Sequence, residues 1–255
     1  MKITLFVFTV FAVLGRVDAQ STNDLVEQGI ALEKQFKVKE ALQKFEQALL
    51  RDSKNQQALW RASRMYSNIG GHEKEKSLKR ENYYKAKAYA VKSIQLDPAS
   101  IDARFSHIIS LGLLAEIAGN PREKIRDAKI IRQEAEAIVS LDTAYAPAYF
   151  VLGKWHYELA KLSWIEQMAC DFFFGGLPED VSMEKASNHF KKASALDPDN
   201  ILFLYGEASV YHYEKDYVRA SQLLDRALAL APREPDDVLR KEKCQALRDQ
   251  IRKES

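Results

Sequence analysis

The feature that most constrains the fold of this chain is a short phrase that recurs five times. Each copy places apolar and small residues at helical spacing and then a turn, often with a Pro that cannot be accommodated inside a helix. Each copy therefore predicts the end of one helix and the start of the next. The copies are FEQALLRDSKN (45–55), AVKSIQLDPAS (90–100), AEAIVSLDTAY (135–145), FKKASALDPDN (190–200) and LDRALALAPRE (224–234).

The spacing of the copies identifies the kind of helical repeat. The positions equivalent to Pro98 are Ser53, Thr143, Pro198 and Pro232, so the intervals are 45, 45, 55 and 34 residues. A period of about 34 residues is typical of the tetratricopeptide repeat, a pair of antiparallel helices that stacks into a superhelix. We therefore predict an all-α, tetratricopeptide-like helical-hairpin superhelix, which is an α-solenoid.

The domain organisation follows from these intervals. One hairpin cannot cover its own apolar face, so neighbouring hairpins form the core and the last one needs a cap. We place irregular repeats near 22–55, 56–100, 101–145, 146–200 and 201–234, and a capping helix over 236–253. The fourth repeat is 21 residues longer than the last one. Its extra length is an apolar insertion between two helices, which contains Trp164, Ile165, Met168, Phe172, Phe173 and Leu177.

The first 19 residues differ from the repeats. Lys2, the apolar run from Ile3 to Leu14 and the segment Val17-Asp18-Ala19 are typical of a cleaved secretory signal peptide. The apolar run is shorter than the roughly 20 residues that span a bilayer. We predict an exported protein, periplasmic or secreted, that begins near Gln20 and has no transmembrane span after signal removal. The alternative is an uncleaved N-terminal anchor.

Composition and motifs argue against several functional classes. The net charge is +2 and basic residues are spread along the chain, which disfavours nucleic acid as a partner. The sequence has no P-loop, dinucleotide-binding glycine motif, nucleophile elbow, or His and Cys spacing typical of a metal site. Cys170 and Cys244 are expected to be free, buried thiols, and a disulfide between them is the alternative. We predict a protein that is not an enzyme and uses no cofactor and no metal.

One segment carries a family resemblance. LGKWHYELAKLSWIEQMACDFFFGGLPED (152–180), followed by EKASNHFKKASALDPDN (184–200), resembles the regulator of microtubule dynamics family. The resemblance implies an all-helical interaction domain without catalysis. Eukaryotic members are associated with microtubules and spindle poles, and one branch with organelle contact sites and lipid handling. The export signal predicts an exported, bacterial version, to which we do not extend the microtubule role. The matching positions are Gly153, Trp155, Leu162, Ser163, Trp164, Gly175 and Pro178.

The first helix of each hairpin lines the concave surface in tetratricopeptide repeats, and its fifth position is aromatic in repeats two to five. Those residues are Trp60, Phe105, Phe150 and Tyr205, and nearby inward positions are Arg64, Asn68, Ile109, Leu113, Lys154, Tyr157, His212 and Tyr213. An aromatic groove can receive an extended peptide, a helix or an acyl chain. Alternatively, these residues pack against one another or against the insertion.

Two functions follow from the groove. We predict a non-enzymatic scaffold that binds a partner protein or peptide there, with Arg64 and Lys154 recruiting a carboxylate. The alternative is a lipid or apolar small-molecule binding or transfer protein, in which residues 163–178 close the groove. The insertion itself is interpreted either as core filling or as an apolar lid.

Overall fold

The computed structural model describes residues 21–163, 167–168, 178–234 and 236–255, and these residues form helices and no strand. Consecutive helices pack as hairpins, and first helices of neighbouring hairpins also touch. The predicted all-α superhelix is confirmed. The helices are α1 (Thr22–Lys34), α2 (Val38–Arg51), α3 (Gln56–His72), α4 (Lys76–Leu96), α5 (Ile101–Ile117), α6 (Pro121–Leu141), α7 (Ala146–Ala160), α8 (Met183–Leu196), α9 (Ile201–Tyr213), α10 (Tyr217–Ala229) and α11 (Asp236–Glu254).

The turns between hairpins repeat one pattern of polar contacts. After α2, α4 and α6, an Asp side chain accepts a hydrogen bond from the backbone N–H two residues later, at 2.8–3.0 Å. Three residues after the Asp of the recurring phrase, Asn55, Ser100 and Asn200 each accept from a backbone N–H of the next helix. These contacts satisfy N–H groups that a helix start leaves without partners. The recurring phrase is therefore a locally encoded turn. The three Asp residues that accept are Asp52, Asp97 and Asp142.

The hairpins pack through small residues. Pairs of alanines seven residues apart on the second helices are fully buried, as at Ala41 with Ala48 and Ala220 with Ala227. The ring of Phe190 in α8 lies between two glycines, because a Cβ on Gly153 would approach it to 2.8 Å and one on Gly206 to 2.7 Å. Phe190 thus joins the fourth hairpin to the fifth.

The tips inside the hairpins differ from one another. The tips after α1 and α9 are tight turns in which Phe36 (φ 58°) and Lys215 (φ 62°) adopt the left-handed conformation. The N–H of Phe36 donates to the carbonyl of Glu33 at 2.9 Å and that of Lys37 to the carbonyl of Leu32 at 3.0 Å, which is a Schellman ending. The tip between α7 and α8 spans residues 161–182.

The capping helix α11 buries one narrow stripe. Asp237, Cys244 and Ile251, seven residues apart, are buried, and burial raises the pKa of the Cys244 thiol to about 11. Val238 and Leu239 are apolar residues of the same helix, yet they are 58% and 56% exposed. They lie off the stripe because Asp237 takes the inward position of the first turn and accepts from the N–H of Arg233 at 2.8 Å. Cys244 is a free thiol, whereas Cys170 lies outside the described residues.

The helices that the structure describes were compared with the requirements for a membrane-spanning helix. None of them combines the length and the apolar character that crossing a bilayer would require. The predicted signal peptide over 1–19 lies outside the described residues, so its cleavage stays a prediction.

Candidate partner-binding groove

Four residues of the predicted groove, on α3, α7 and α9, are exposed, and together they form what we call the exposed stripe. In α3, Arg64 and Asn68 are exposed, while Trp60 one turn earlier is only 8% exposed. Residues three and four apart share a helix face, so Arg64 and Asn68 are neighbours on one surface. Lys154 of α7 and Tyr213 of α9 are exposed at other points of the same series of helices. These four residues are the solvent-facing part of the predicted groove.

The aromatic residues at the fifth position of the first helices pack against other side chains of the protein. The Phe105 ring lies 5.5 Å from the Tyr145 ring, edge to face. Phe150 lies 5.4 Å from Phe190 and 5.5 Å from Phe203, measured between ring centroids. Tyr205 is half-buried against the core of the last hairpin. The rings of Phe105 and Phe150 pack toward the next hairpin, and Trp60 is buried, so the accessible chemistry of the groove lies mainly in the residues one turn later.

The exposed cations of the stripe have no acidic partner. Among the described residues, no carboxylate lies within ion-pairing distance of Arg64 or Lys154. By contrast, Arg61 is paired with Glu33, and Arg104 with Glu134. The Arg64 guanidinium lies 5.9 Å from the centroid of the Trp60 ring, which holds it over an apolar surface. A cation in this position can pair with a carboxylate from another molecule.

A second group of predicted residues meets at the other end of the stripe. The rings of Tyr157 and Tyr213 are 6.4 Å apart, and the Lys161 ammonium lies 4.6 Å from the centroid of the Tyr157 ring. Burial raises the pKa of Tyr157, so its hydroxyl stays a neutral donor. Lys161 was missed by the sequence reasoning, although it lies one helical turn after Tyr157 on the same face.

The remaining predicted groove residues lie in different surroundings. Nε2 of His212 is 2.9 Å from Oε2 of Glu254, so this side chain ties α9 to the capping helix. Ile109 and Leu113 are half-buried on α5. The structure thus groups Trp60 with Arg64 and Tyr157 with Tyr213, and places His212 at the cap.

The apolar insertion is described only in part. Met168 is 50% exposed, and Trp164, Ile165, Phe172, Phe173 and Leu177 lie outside the described residues. Whether the insertion fills the core or forms a lid stays a prediction. Its far end is fixed, because both carboxylate oxygens of Asp180 accept hydrogen bonds from the Arg132 guanidinium, at 2.8 and 2.7 Å.

This series of stacked helical hairpins defines a helical-repeat protein of the tetratricopeptide-like class. The structure is similar to that of a thermophilic tetratricopeptide repeat protein of Thermus thermophilus, with a TM-score of 0.65 and 16% identity over 89% of this chain and all of that one. It is also similar to a crystal structure of MamA, with a TM-score of 0.53 and 17% identity over 83% of this chain and 98% of that one.

Within this class the chain belongs to the family described as regulator of microtubule dynamics protein 1-3, whose model matches residues 25–252. It is 27% identical to regulator of microtubule dynamics protein 1 of Bos taurus, over 60% of this chain and 50% of that protein. The Caenorhabditis elegans protein of the same name is 24% identical, over 74% and 82%. The chain thus spans about half the length of the bovine relative. The family resemblance seen in the sequence is confirmed.

Proposed function

We propose that this chain is a non-enzymatic scaffold that binds a partner polypeptide on the inner face of its superhelix. The observation that supports it most is the pair of exposed cations, Arg64 and Lys154, without an acidic partner among the described residues. A partner with acidic side chains or a free C-terminus supplies the missing carboxylates. Arg64 can bind one in a bidentate manner, which gives direction as well as affinity.

The aromatic residues have a supporting role in this proposal. Trp60, Phe105 and Phe150 hold the first helices in place, so that the exposed residues one turn later keep a fixed spacing. Tyr213, which is 48% exposed, offers the partner an apolar ring with a hydroxyl. Charged contacts at the rim of such a surface steer association, so binding is expected to weaken as salt rises.

The test reverses the charges of the inner face. The partner is captured by cross-linking and pull-down from the native cell envelope, and its binding to the purified chain is then measured. With Arg64→Glu plus Lys154→Glu, we expect affinity to fall at least about a hundredfold, because each lost charge pair is worth roughly tenfold.

The matched control is Lys92→Glu plus Lys129→Glu, which changes the same net charge on exposed positions of the second helices α4 and α6. We expect it to retain binding, and circular dichroism checks that both variants are folded. Equal loss in both variants would show a general charge effect, and unchanged binding in the inner-face variant would contradict the proposal.

The apolar-ligand carrier remains an alternative prediction, because residues 164–166 and 169–177 lie outside the described part of the chain. Native mass spectrometry of the purified protein separates the two functions, since a carrier keeps a bound lipid and the scaffold does not. Export is likewise a proposal. N-terminal sequencing of the mature protein tests it, and the expected first residue is near Gln20.

A further inference from the structure

The protein contains a cavity of about 410 Å³ that is lined by none of the predicted groove residues. It lies between α6, α7 and α8, beside the end of the tip that joins α7 to α8. Val139 and Leu152 form part of its wall, and its polar side chains include Arg132, Lys185 and His189. Its volume falls within the usual range of small-molecule sites, about 300–1,000 Å³.

The two cations of the cavity are held by a carboxylate of the chain itself. Asp180 accepts two hydrogen bonds from Arg132, at 2.8 and 2.7 Å, and one from the Lys185 ammonium at 2.9 Å. The Arg132 guanidinium also lies 4.7 Å from the centroid of the Trp155 ring, which fixes its plane. A planar guanidinium held in this way is suited to a carboxylate or a phosphate. Asp180 therefore occupies a position built for an anion.

A buried histidine in the same cavity has an unused nitrogen. His156 is 2% exposed, and its Nδ1 has no hydrogen-bond partner among the described residues. Its ring is stacked on that of His189, with centroids 5.5 Å apart. Burial lowers the pKa of His156 to about 4 and also lowers that of His189, so both rings are neutral at pH 7. A buried polar atom without a partner is costly, and a ligand in the cavity can supply one.

We infer that this cavity binds a small free anion with a carboxylate or phosphate group, and that Asp180 is its internal competitor. The anion pairs with Lys185 and Arg132 in place of Asp180, while the imidazoles and the amide of Asn188 provide neutral hydrogen-bonding groups. Glu136 stays on Arg132, where its Oε1 accepts from Nε at 2.7 Å. None of the residues that line this site belongs to the predicted groove, so the inference does not depend on the proposed function.

The experiment titrates the purified chain with inorganic phosphate and with citrate by isothermal calorimetry, and follows the histidine signals by NMR. Asp180→Asn frees both cations without changing the size of the side chain, so we expect it to bind about tenfold more tightly than the unaltered protein. Lys185→Gln is expected to bind about tenfold more weakly, and the signals of His156 and His189 are expected to shift on binding.

The matched control is Lys192→Gln, an exposed lysine of the same helix outside the cavity, which is expected to bind as the unaltered protein does. Vesicles of phosphatidylcholine with added phosphatidylserine test a lipid headgroup as the source of the anion. The inference is overturned by equal affinities of Asp180→Asn and the unaltered protein, by loss of binding in Lys192→Gln to the extent seen in Lys185→Gln, or by binding to vesicles alone.

Discussion

The turns between hairpins and the tips inside hairpins follow different rules. The turns after α2, α4 and α6 share the same Asp contact to the backbone. The tips range from tight left-handed turns at Phe36 and Lys215 to the long segment 161–182. The turns between hairpins thus repeat one structure, whereas the tips inside hairpins differ from one another.

This difference shows where a helical-repeat protein can accept change. A turn between hairpins sets the angle at which the next hairpin packs, so its capping contacts are constrained. The tips vary in length from residues 35–37 to residues 161–182, while the two helices beside each of them still pair as a hairpin. Lys161, beside Tyr157, and Asp180, on Arg132, both lie in the longest tip. Residues of both candidate sites therefore lie in the tip whose length differs most from the others.

The largest change in stability is expected where helices of neighbouring hairpins pack directly against each other. Gly153→Leu places a side chain against Phe190, which Gly206 already confines on its other side. We expect the free energy of unfolding to fall by about 3 kcal/mol, measured by urea denaturation. Gly112→Ala is the control, because nothing lies within 4 Å of its Cβ, and it should stabilise by about 0.5–1 kcal/mol. Equal effects would mean that the turns, and not this packing, set the spacing of the hairpins.

The second effect concerns the helices at the base of the longest tip. The pKa of His156 is lowered to about 4, so between about pH 6.5 and 4 the unfolded chain binds a proton there that the folded chain does not. The contribution of the neutral His156 ring to the free energy of unfolding is therefore fully present above about pH 6.5. It decreases as the pH falls, and the loss is about 2 kcal/mol at pH 5. Urea denaturation across this range measures it.

His156→Gln should remove most of this pH dependence, and His72→Gln, at an exposed position, should leave it unchanged. His189, whose pKa is also lowered, accounts for the remainder. A steep dependence that persists in His156→Gln would place the responsible groups outside this cavity.

The third effect tests the repeated turns. Asn55→Ala removes the side chain that accepts from the N–H of Ala58 at 2.9 Å. We expect the free energy of unfolding to fall by about 1 kcal/mol, the usual cost of a lost N-terminal cap. Asn68→Ala, an exposed site within the same helix, should change it by less than about 0.5 kcal/mol. If both changes had the same effect, the turn would not depend on its cap.

The smallest expected effect is a gain in stability from a substitution in the tip between α1 and α2. Phe36→Gly relieves a left-handed conformation that is unfavourable for any side chain, at a residue that is 68% exposed. We expect a stabilisation of about 0.5–1 kcal/mol in thermal or urea unfolding, less the entropy that glycine adds to the unfolded chain. Gln35→Gly, whose φ is −92°, should give no gain. A loss at Phe36 would show that its ring packs more than its exposure indicates.

The sequence was most informative where structure is local. Asn55, Ser100 and Asn200 follow the helix ends at a fixed distance, so the recurring phrase predicted the hairpins and their order. The exposed residues of the groove were harder to predict, because the sequence of one helix does not show which of its residues the neighbouring helices bury. Phe150 lies on the predicted face but packs against Phe190 and Phe203, and Trp60 is buried, whereas Arg64 stays exposed.

The cavity between α6, α7 and α8 could not be predicted from the sequence. Arg132 and Asp180 are 48 positions apart, and neither is one of the positions that carry the family resemblance. His156 and His189 come together only because α7 and α8 form one hairpin around a long tip. Spacing along the chain carries no signal for such contacts, since the length of the tip is unconstrained.

The most direct test of the scaffold proposal is site-specific photocross-linking from the inner face in cells that produce this protein natively. A photoreactive residue in place of Asn68 should attach to one defined polypeptide. The product should disappear when Arg64→Glu and Lys154→Glu are added, and the same residue at Lys92 should not form it. Identical products from positions 68 and 92, or a product that persists after both charges are reversed, would contradict partner binding on this face.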